Sequence, residues 1–141
     1  MRRLTQVQAV STFRNLVVWN RAIDLVVLLY QITNTFPRQE QYGLVSQLRR
    51  AAVSIPANIA EGNGRFSTAA YLNHVHVALG SHGELRALIE IASRLGFIAD
   101  ADQPNICGHL DEVGRLLGGL RAALKRRLSS VPDPRSPIPD P

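Results

Sequence analysis

Residues 47–65 read QLRRAAVSIPANIAEGNGR, and the reading of this stretch decides the fold. Its spacing predicts a helix, yet Pro56 stands in the interior, where proline removes a backbone donor and clashes with the preceding turn. At 100° per residue, Arg50, Ser54, Asn58, Glu61 and Arg65 fall within a wedge of about 80°. Leu44, Leu48, Ile55 and Ile59 form a neighbouring apolar face, and Val53, Ala57 and Ala60 flank the wedge on its other side. A polar stripe with apolar surface on both sides is unlike a solvated helix face. It predicts a buried polar network in which Glu61 meets an arginine, because a buried carboxylate must be paired. Arg50, Arg65 and Glu61, with Ser54 and Asn58 between them, would satisfy one another and the backbone freed by Pro56, with Ser81 and Glu84 as partners from the next helix. The alternative reading of the stripe is a ligand or nucleic-acid contact through Arg50 and Arg65.

Working outward, this second helix is expected from about Glu40 to Glu61, with Gly62-Asn63-Gly64 acting as a glycine stop. A first helix is predicted from Asn15, as N-cap, to Thr35, ending before Phe36-Pro37. Trp19, Ala22, Ile23, Val26, Leu29, Tyr30 and Thr33 keep helical spacing there. Val18, Leu25, Val27, Leu28 and Ile32 spread the apolar surface nearly all round, which predicts burial against another subunit as well as the chain's own core. A third helix should start at Ser67 or Thr68 and run to about Leu95, stopped by Gly96. Gly80, Ser81 and Gly83 lie mid-helix, where a glycine costs about 1 kcal/mol relative to alanine, so close approach by another backbone is expected. A fourth helix starts near Gln103-Pro104, with proline tolerated in a first turn, and reaches Leu128. Met1 to Thr12 is a loose arm, and Ser129 onward, ending VPDPRSPIPDP, is a Pro-rich disordered tail. No segment shows strand alternation. The class is all-α, an up-down-up-down antiparallel four-helix bundle.

The chain has 141 residues, enough for one domain with a real core. Sixteen basic residues stand against eleven acidic ones, for a net charge of +5, and all but Lys125 of the basic residues are arginine. Arginine makes bidentate contacts to phosphate and carboxylate, so this bias suits nucleic acid or interface ion pairs. The single cysteine, Cys107, excludes an internal disulfide and a cysteine-based zinc site. The longest strongly apolar run, Leu25 to Tyr30, falls far short of the roughly 20 residues a membrane span needs, and Met1 to Val10 lacks a signal-peptide core. A soluble, cytoplasmic protein without membrane contact is expected.

Candidate chemistry is sparse. His74, His76 and His82 lack metal-ligand spacing, so neither a metal nor a cofactor is predicted. Ser54 or Ser81 with Glu61 or Glu84 could be drawn as an enzyme site, but no histidine sits at a helical neighbour position to activate Ser54, and no phosphate-cradling loop follows a strand. The chain therefore reads as a non-enzyme. Arg121, Lys125, Arg126 and Arg127 crowd the end of the fourth helix, where positive charge complements the helix dipole. Repeated around an oligomer, the same four charges would bind polyanions by counterion release, along the backbone and without sequence preference. No aromatic interleaves with them, so base stacking is not indicated and any nucleic-acid binding is expected to be backbone-directed.

Three segments carry a resemblance: FRNLVVWNRAIDLVVLLYQIT, FPRQEQYGLVSQLRRAAVSIPANIAEGNGR and AYLNHVHVALGSHGEL, together roughly residues 13–96. They are similar to the small bacterial four-helix bundle proteins encoded in intervening sequences of large-subunit (23S) ribosomal RNA genes. The accessory variability determinant of diversity-generating retroelements resembles the same group. The resemblance implies a homopentameric barrel with a positively charged surface and, for the retroelement members, binding to reverse transcriptase and to RNA or DNA. The family's polar signature falls here on Arg50, Ser54, Pro56, Asn58, Glu61, Gly62, Arg65, Gly80, Ser81 and Glu84. Two departures stand out. His82-Gly83 replaces a larger apolar residue and a helix former, which is expected to loosen the third helix, and the Pro-rich tail lies outside the pattern. The expected function is a non-enzymatic, nucleic-acid-binding homo-oligomer; the alternative is a protein-interaction scaffold with no nucleic-acid role.

Overall fold

A computed structural model of the chain describes residues 13–130. The expected N-terminal arm and residues 131–141 of the expected tail lie outside the described residues. Four long helices, α1 (Val17–Thr33), α2 (Leu44–Asn63), α3 (Thr68–Arg94) and α4 (Gln103–Ser130), account for most of the rest. Short 3-10 turns at Phe13–Asn15, Arg38–Glu40 and Asp100–Asp102 join or precede them, and no strand occurs among the described residues. The α4 helix extends through Ser129 and Ser130, two residues past the expected end at Leu128.

Helix ends follow local chemistry, with three departures from the sequence pattern. Asn15 is not the N-cap of α1: it sits in the 3-10 turn, and Leu16, in extended conformation, caps the helix without a side-chain bond. Asn20 ties that turn down instead, its Nδ2 donating to the carbonyls of Arg14 at 2.8 Å and Leu16 at 2.9 Å. The α2 helix begins at Leu44 rather than near Glu40, because Pro37 leads Arg38–Glu40 into a separate turn. From there Glu40 Oε2 accepts a bond from the Leu44 N–H at 3.3 Å. The glycine stop of α2 also differs. The helix runs through Gly62 to Asn63, and Gly64 has φ −79°, an ordinary right-handed value.

The ends of α3 match their signals. Ser67 Oγ accepts from Ala70 N at 3.2 Å, and Gly96 takes φ +78°. Phe97 N donates to Ala92 O and Gly96 N to Ser93 O, both at 3.0 Å, which is the Schellman arrangement. Between those ends α3 is unbroken, so His82-Gly83 does not loosen it.

The main core is built from Leu25, Leu48, Ile55, Ile59, Leu85, Ile106 and Leu117, each fully buried. Burying one such side chain stabilises the fold by about 1.5–3 kcal/mol. Tyr71, Leu72, Val75 and Leu124 form a second cluster where the start of α3 meets the end of α4. The largest interface joins α2 to α3, and every helix touches two others: α1 touches α2 and α4, and α3 touches α2 and α4. Phe36 and Phe97, with ring centroids 5.5 Å apart, bring the α1–α2 and α3–α4 connections to one end of the bundle. The end of α4 therefore lies at the other. Val17 and Val27 on α1, Val53 on α2 and Val77 on α3 remain exposed in the protomer.

Candidate nucleic-acid interface

The polar stripe of α2 lies along the outer edge of the α2–α3 seam rather than inside the core. Ser54, Asn58 and Ser81 are half-buried, whereas Arg50, Glu61, Arg65 and Glu84 are exposed. This departs from the expected burial for a steric reason: Val53 and Ala57, which flank the stripe, are themselves exposed, so nothing in the protomer covers it. Ser54 Oγ and Ser81 Oγ lie 2.7 Å apart across the seam. Asn58 Nδ2 donates to Ser54 O at 2.8 Å and to Ser54 Oγ at 3.1 Å. Its Oδ1 then accepts from His74 Nδ1 at 3.1 Å. Arg65 donates to Glu61 at 2.9 Å, but both groups are more than half exposed, so the burial expected to force the pairing is absent. Surface pairs of this kind contribute at most about 1 kcal/mol. Arg50 and Glu84 make no bond in this chain of contacts. Nor does any side chain among the described residues donate to the Ala52 carbonyl, the acceptor that Pro56 leaves without its usual partner.

Two histidines do more than the sequence disclosed. His74 extends the seam as described. His82 is buried, and its Nε2 stands 2.7 Å from Leu110 O; a carbonyl only accepts, so Nε2 carries the proton. The ring occupies a notch left by Gly114, where an added Cβ would lie 2.8 Å from His82 Cε1 and 2.9 Å from Nε2. No sequence spacing links residues 82 and 114. The available signal for His74 was spacing: Asn58 lies four residues after Ser54 on α2, and His74 lies seven residues, two turns, before Ser81 on α3.

At the far end, Arg121, Lys125, Arg126 and Arg127 are all exposed. None makes an ion pair among the described residues, in contrast to Arg21, Arg65, Arg86 and Arg94, whose carboxylate partners lie 2.8–3.3 Å away. At 100° per residue the four charges point around the helix rather than to one side, forming a collar on its last turns. Leu124 anchors this segment to Tyr71, Leu72 and Val75. Burial pushes the Tyr71 phenol above its ordinary value of 10.0, opposed by a hydrogen bond from Asn63 and by the charge of Arg127.

A second group of cations sits at the opposite end. Arg49 lies 4.4 Å from the centroid of the Tyr30 ring and donates to Thr33 Oγ1 and Asn34 Oδ1, both at 3.0 Å. Arg38 and Arg50 nearby are exposed and have no carboxylate partner among the described residues.

A single helical bundle with a polar seam between its second and third helices, and with arginines at both ends that lack a carboxylate partner among the described residues, defines the class. Residues 14–119 match the model of the 23S rRNA-intervening sequence protein family, and the chain belongs to that family. It is also similar to a crystal structure of a protein of unknown function from the S23 ribosomal protein family of Bacteroides thetaiotaomicron. That likeness has a TM-score of 0.68 at 23% identity, over 75% of this chain and 96% of the other, and it shows the shared fold. No curated protein matches the chain. No helix among the described residues is long and apolar enough to cross a membrane.

Proposed function

We propose that this chain is the subunit of a non-enzymatic homo-oligomer that binds the backbone of RNA or DNA through the collar at the end of α4. The observation that carries this reading is the exposure of Arg121, Lys125, Arg126 and Arg127 without a carboxylate partner among the described residues, set against the pairing of Arg21, Arg65, Arg86 and Arg94. Fixed cations that no protein anion neutralises release counterions when they meet phosphate. An up-down-up-down order and a homopentameric barrel, the assembly the resemblance implies, would repeat the collar around an axis and multiply that effect. Val17, Val27, Val53 and Val77 are among the exposed apolar side chains that self-association would cover. An accessory role beside a nucleic-acid enzyme such as a reverse transcriptase belongs to the same reading and rests on the resemblance alone.

The test is binding to mixed-sequence RNA across a salt series. Affinity should fall linearly on a log–log plot, with a slope that shrinks when the four charges are reversed while sedimentation shows assembly intact. Absent affinity at low salt, or a flat salt response, would sink the proposal. The competing scaffold reading draws on the same exposed valines. It expects charge reversal to disrupt assembly or protein partners and to leave polyanion binding unaltered.

A further inference from the structure

The sequence associates basic residues with the end of α4, where no aromatic accompanies them, but the fold assembles a different surface at the opposite end. Tyr42, in the turn before α2, is 92% exposed. With Tyr30, Gln41, Arg49, Arg50 and Val53 it lines a shallow cleft of about 430 Å³ between α1 and α2. A neighbouring cleft of about 310 Å³ shares Gln41 and Arg49 and continues to Asn34 and Arg38. Three arginines thus follow one another along a continuous track, and no aspartate or glutamate among the described residues lines either part. Arg49 is already held in place by Thr33, Asn34 and the Tyr30 ring, so little side-chain entropy remains to be lost on binding.

We infer that this corner is a binding site for single-stranded nucleic acid, with Tyr42 as the platform for one base and Arg38, Arg49 and Arg50 as contacts to the adjoining phosphates. An exposed aromatic beside a positive groove is the combination that recognises unpaired strands, because every base has a face to stack while a duplex hides those faces. The α4 collar has no ring among its four charges, and Phe66, exposed at the same end, belongs to the α2–α3 connection; the collar's charges by themselves do not distinguish the two forms. Tyr42 gains nothing from the fold, since its ring is almost wholly in water. Its place beside arginines that have no carboxylate partner among the described residues is accounted for by a planar anionic ligand. The inference rests on the reading of the protein as a polyanion binder but assigns a separate surface and a separate preference.

Fluorescence anisotropy with three labelled probes tests it: a twelve-nucleotide RNA strand of uridines, the equivalent thymidine DNA strand and a blunt duplex of matching length. Tyr42→Ala should weaken both single strands by roughly five- to a hundredfold, the range for loss of one base–aromatic stack, and leave the duplex within about twofold. Arg126→Glu with Arg127→Glu should weaken all three probes alike. Tyr42 is exposed, so its loss does not threaten folding, and sedimentation of the variant checks assembly. Unchanged strand affinity in Tyr42→Ala overturns the inference. So does equal weakening of strand and duplex, or a changed oligomeric state, which would show that a second copy of the chain occupies the cleft. Retained binding that responds to the α4 charges but not to Tyr42 removes this site alone; binding of no probe by the wild-type protein removes the broader function as well.

Discussion

Replacing Gly62 by alanine tests whether the α2–α3 crossing depends on a missing side chain. An alanine Cβ at this position would stand 2.8 Å from His74 Cβ and 2.8 Å from Tyr71 Cδ1, with Cε1 at 3.3 Å. Carbon atoms pack comfortably at about 3.5–4.0 Å, so the helices must separate by roughly 0.7 Å or the Tyr71 ring must leave its site. Neither is easy: His74 Cβ is fixed to its backbone, and Tyr71 is buried. Overpacking of this kind costs about 1–3 kcal/mol. A matched control isolates that contact. Gly80 on α3 is also helical, and an added Cβ there meets nothing within 4 Å in the protomer. Gly80→Ala gains the interior helix preference, up to about 1 kcal/mol, and Gly62→Ala, next to the last residue of α2, gains less, so a deficit beyond about 1 kcal/mol reports the collision itself.

Urea denaturation followed by circular dichroism should therefore place Gly62→Ala below Gly80→Ala by about 1–3 kcal/mol. The measurement is made as a protein-concentration series, because self-association, if it occurs, makes stability depend on concentration. A concentration-dependent deficit in Gly80→Ala alone would report a neighbouring copy resting on α3. Equal stability of the two variants across that series, or greater stability of Gly62→Ala, would refute the claim that Gly62 sets the helix separation.

Three further outcomes follow from named contacts. In a double-mutant cycle, Ser54→Ala and Ser81→Ala should couple by about 0.5–1.5 kcal/mol through their 2.7 Å bond, and strictly additive losses would remove that bond from the stability argument. Gly114→Ala should destabilise by about 1–3 kcal/mol because its Cβ would meet the His82 ring at 2.8 Å; the penalty should shrink in a His82→Ala background, and an undiminished penalty there would place the clash elsewhere. Tyr71 gives a pH signature. Its folded pKa is raised above the ordinary 10.0, so its contribution is fully present below pH 10 and is lost as pH rises through the folded value, where the unfolded chain ionises first. Tyr71→Phe should flatten the alkaline loss of stability in urea titrations above that pH, whereas an equally steep loss would assign it to other groups.

The four helices were legible because periodicity and stop signals agree with the fold. Ser67 and Gly96 do at the ends of α3 what their chemistry prescribes. The errors at Asn15 and Glu40 share one cause. Short 3-10 turns next to Leu16 and Pro37 use local bonds that helical periodicity does not encode, and they displace the cap of α1 from Asn15 to Leu16 and the start of α2 from about Glu40 to Leu44. Gly62 misled for a different reason. A glycine near a helix end reads as a stop, but here its value is the space it leaves for Tyr71 and His74, which depends on how two helices cross. The same holds for His82 in the notch of Gly114 and for Tyr42 beside Arg50. Composition announced the excess of arginine; which arginines lack a carboxylate partner required the tertiary arrangement.

The seam of α2 also has a meaning that burial alone does not supply. Along the helix, Ser54 meets Ser81, Asn58 meets His74, and Gly62 receives Tyr71 and His74. These pairings run in opposite order along α2 and α3, so they act as three checks on one antiparallel register. The apolar faces between the same helices are leucine, isoleucine, valine and alanine at regular helical spacing, and such surfaces tolerate a shift with modest loss. The polar contacts do not. Sliding α3 by one residue moves every position by about 1.5 Å along the axis and turns it by about 100°. That takes the two serine oxygens out of hydrogen-bonding range and presents a side chain other than Tyr71 to the gap at Gly62. Pro56 fits this logic. It is buried within an unbroken helix, it offers no N–H of its own, and it leaves the alignment to the hydroxyl, amide and imidazole groups on either side. A seam at the edge of the bundle, half-wetted and weak in net energy, can therefore select one packing of α2 on α3 from several that the core alone would accept.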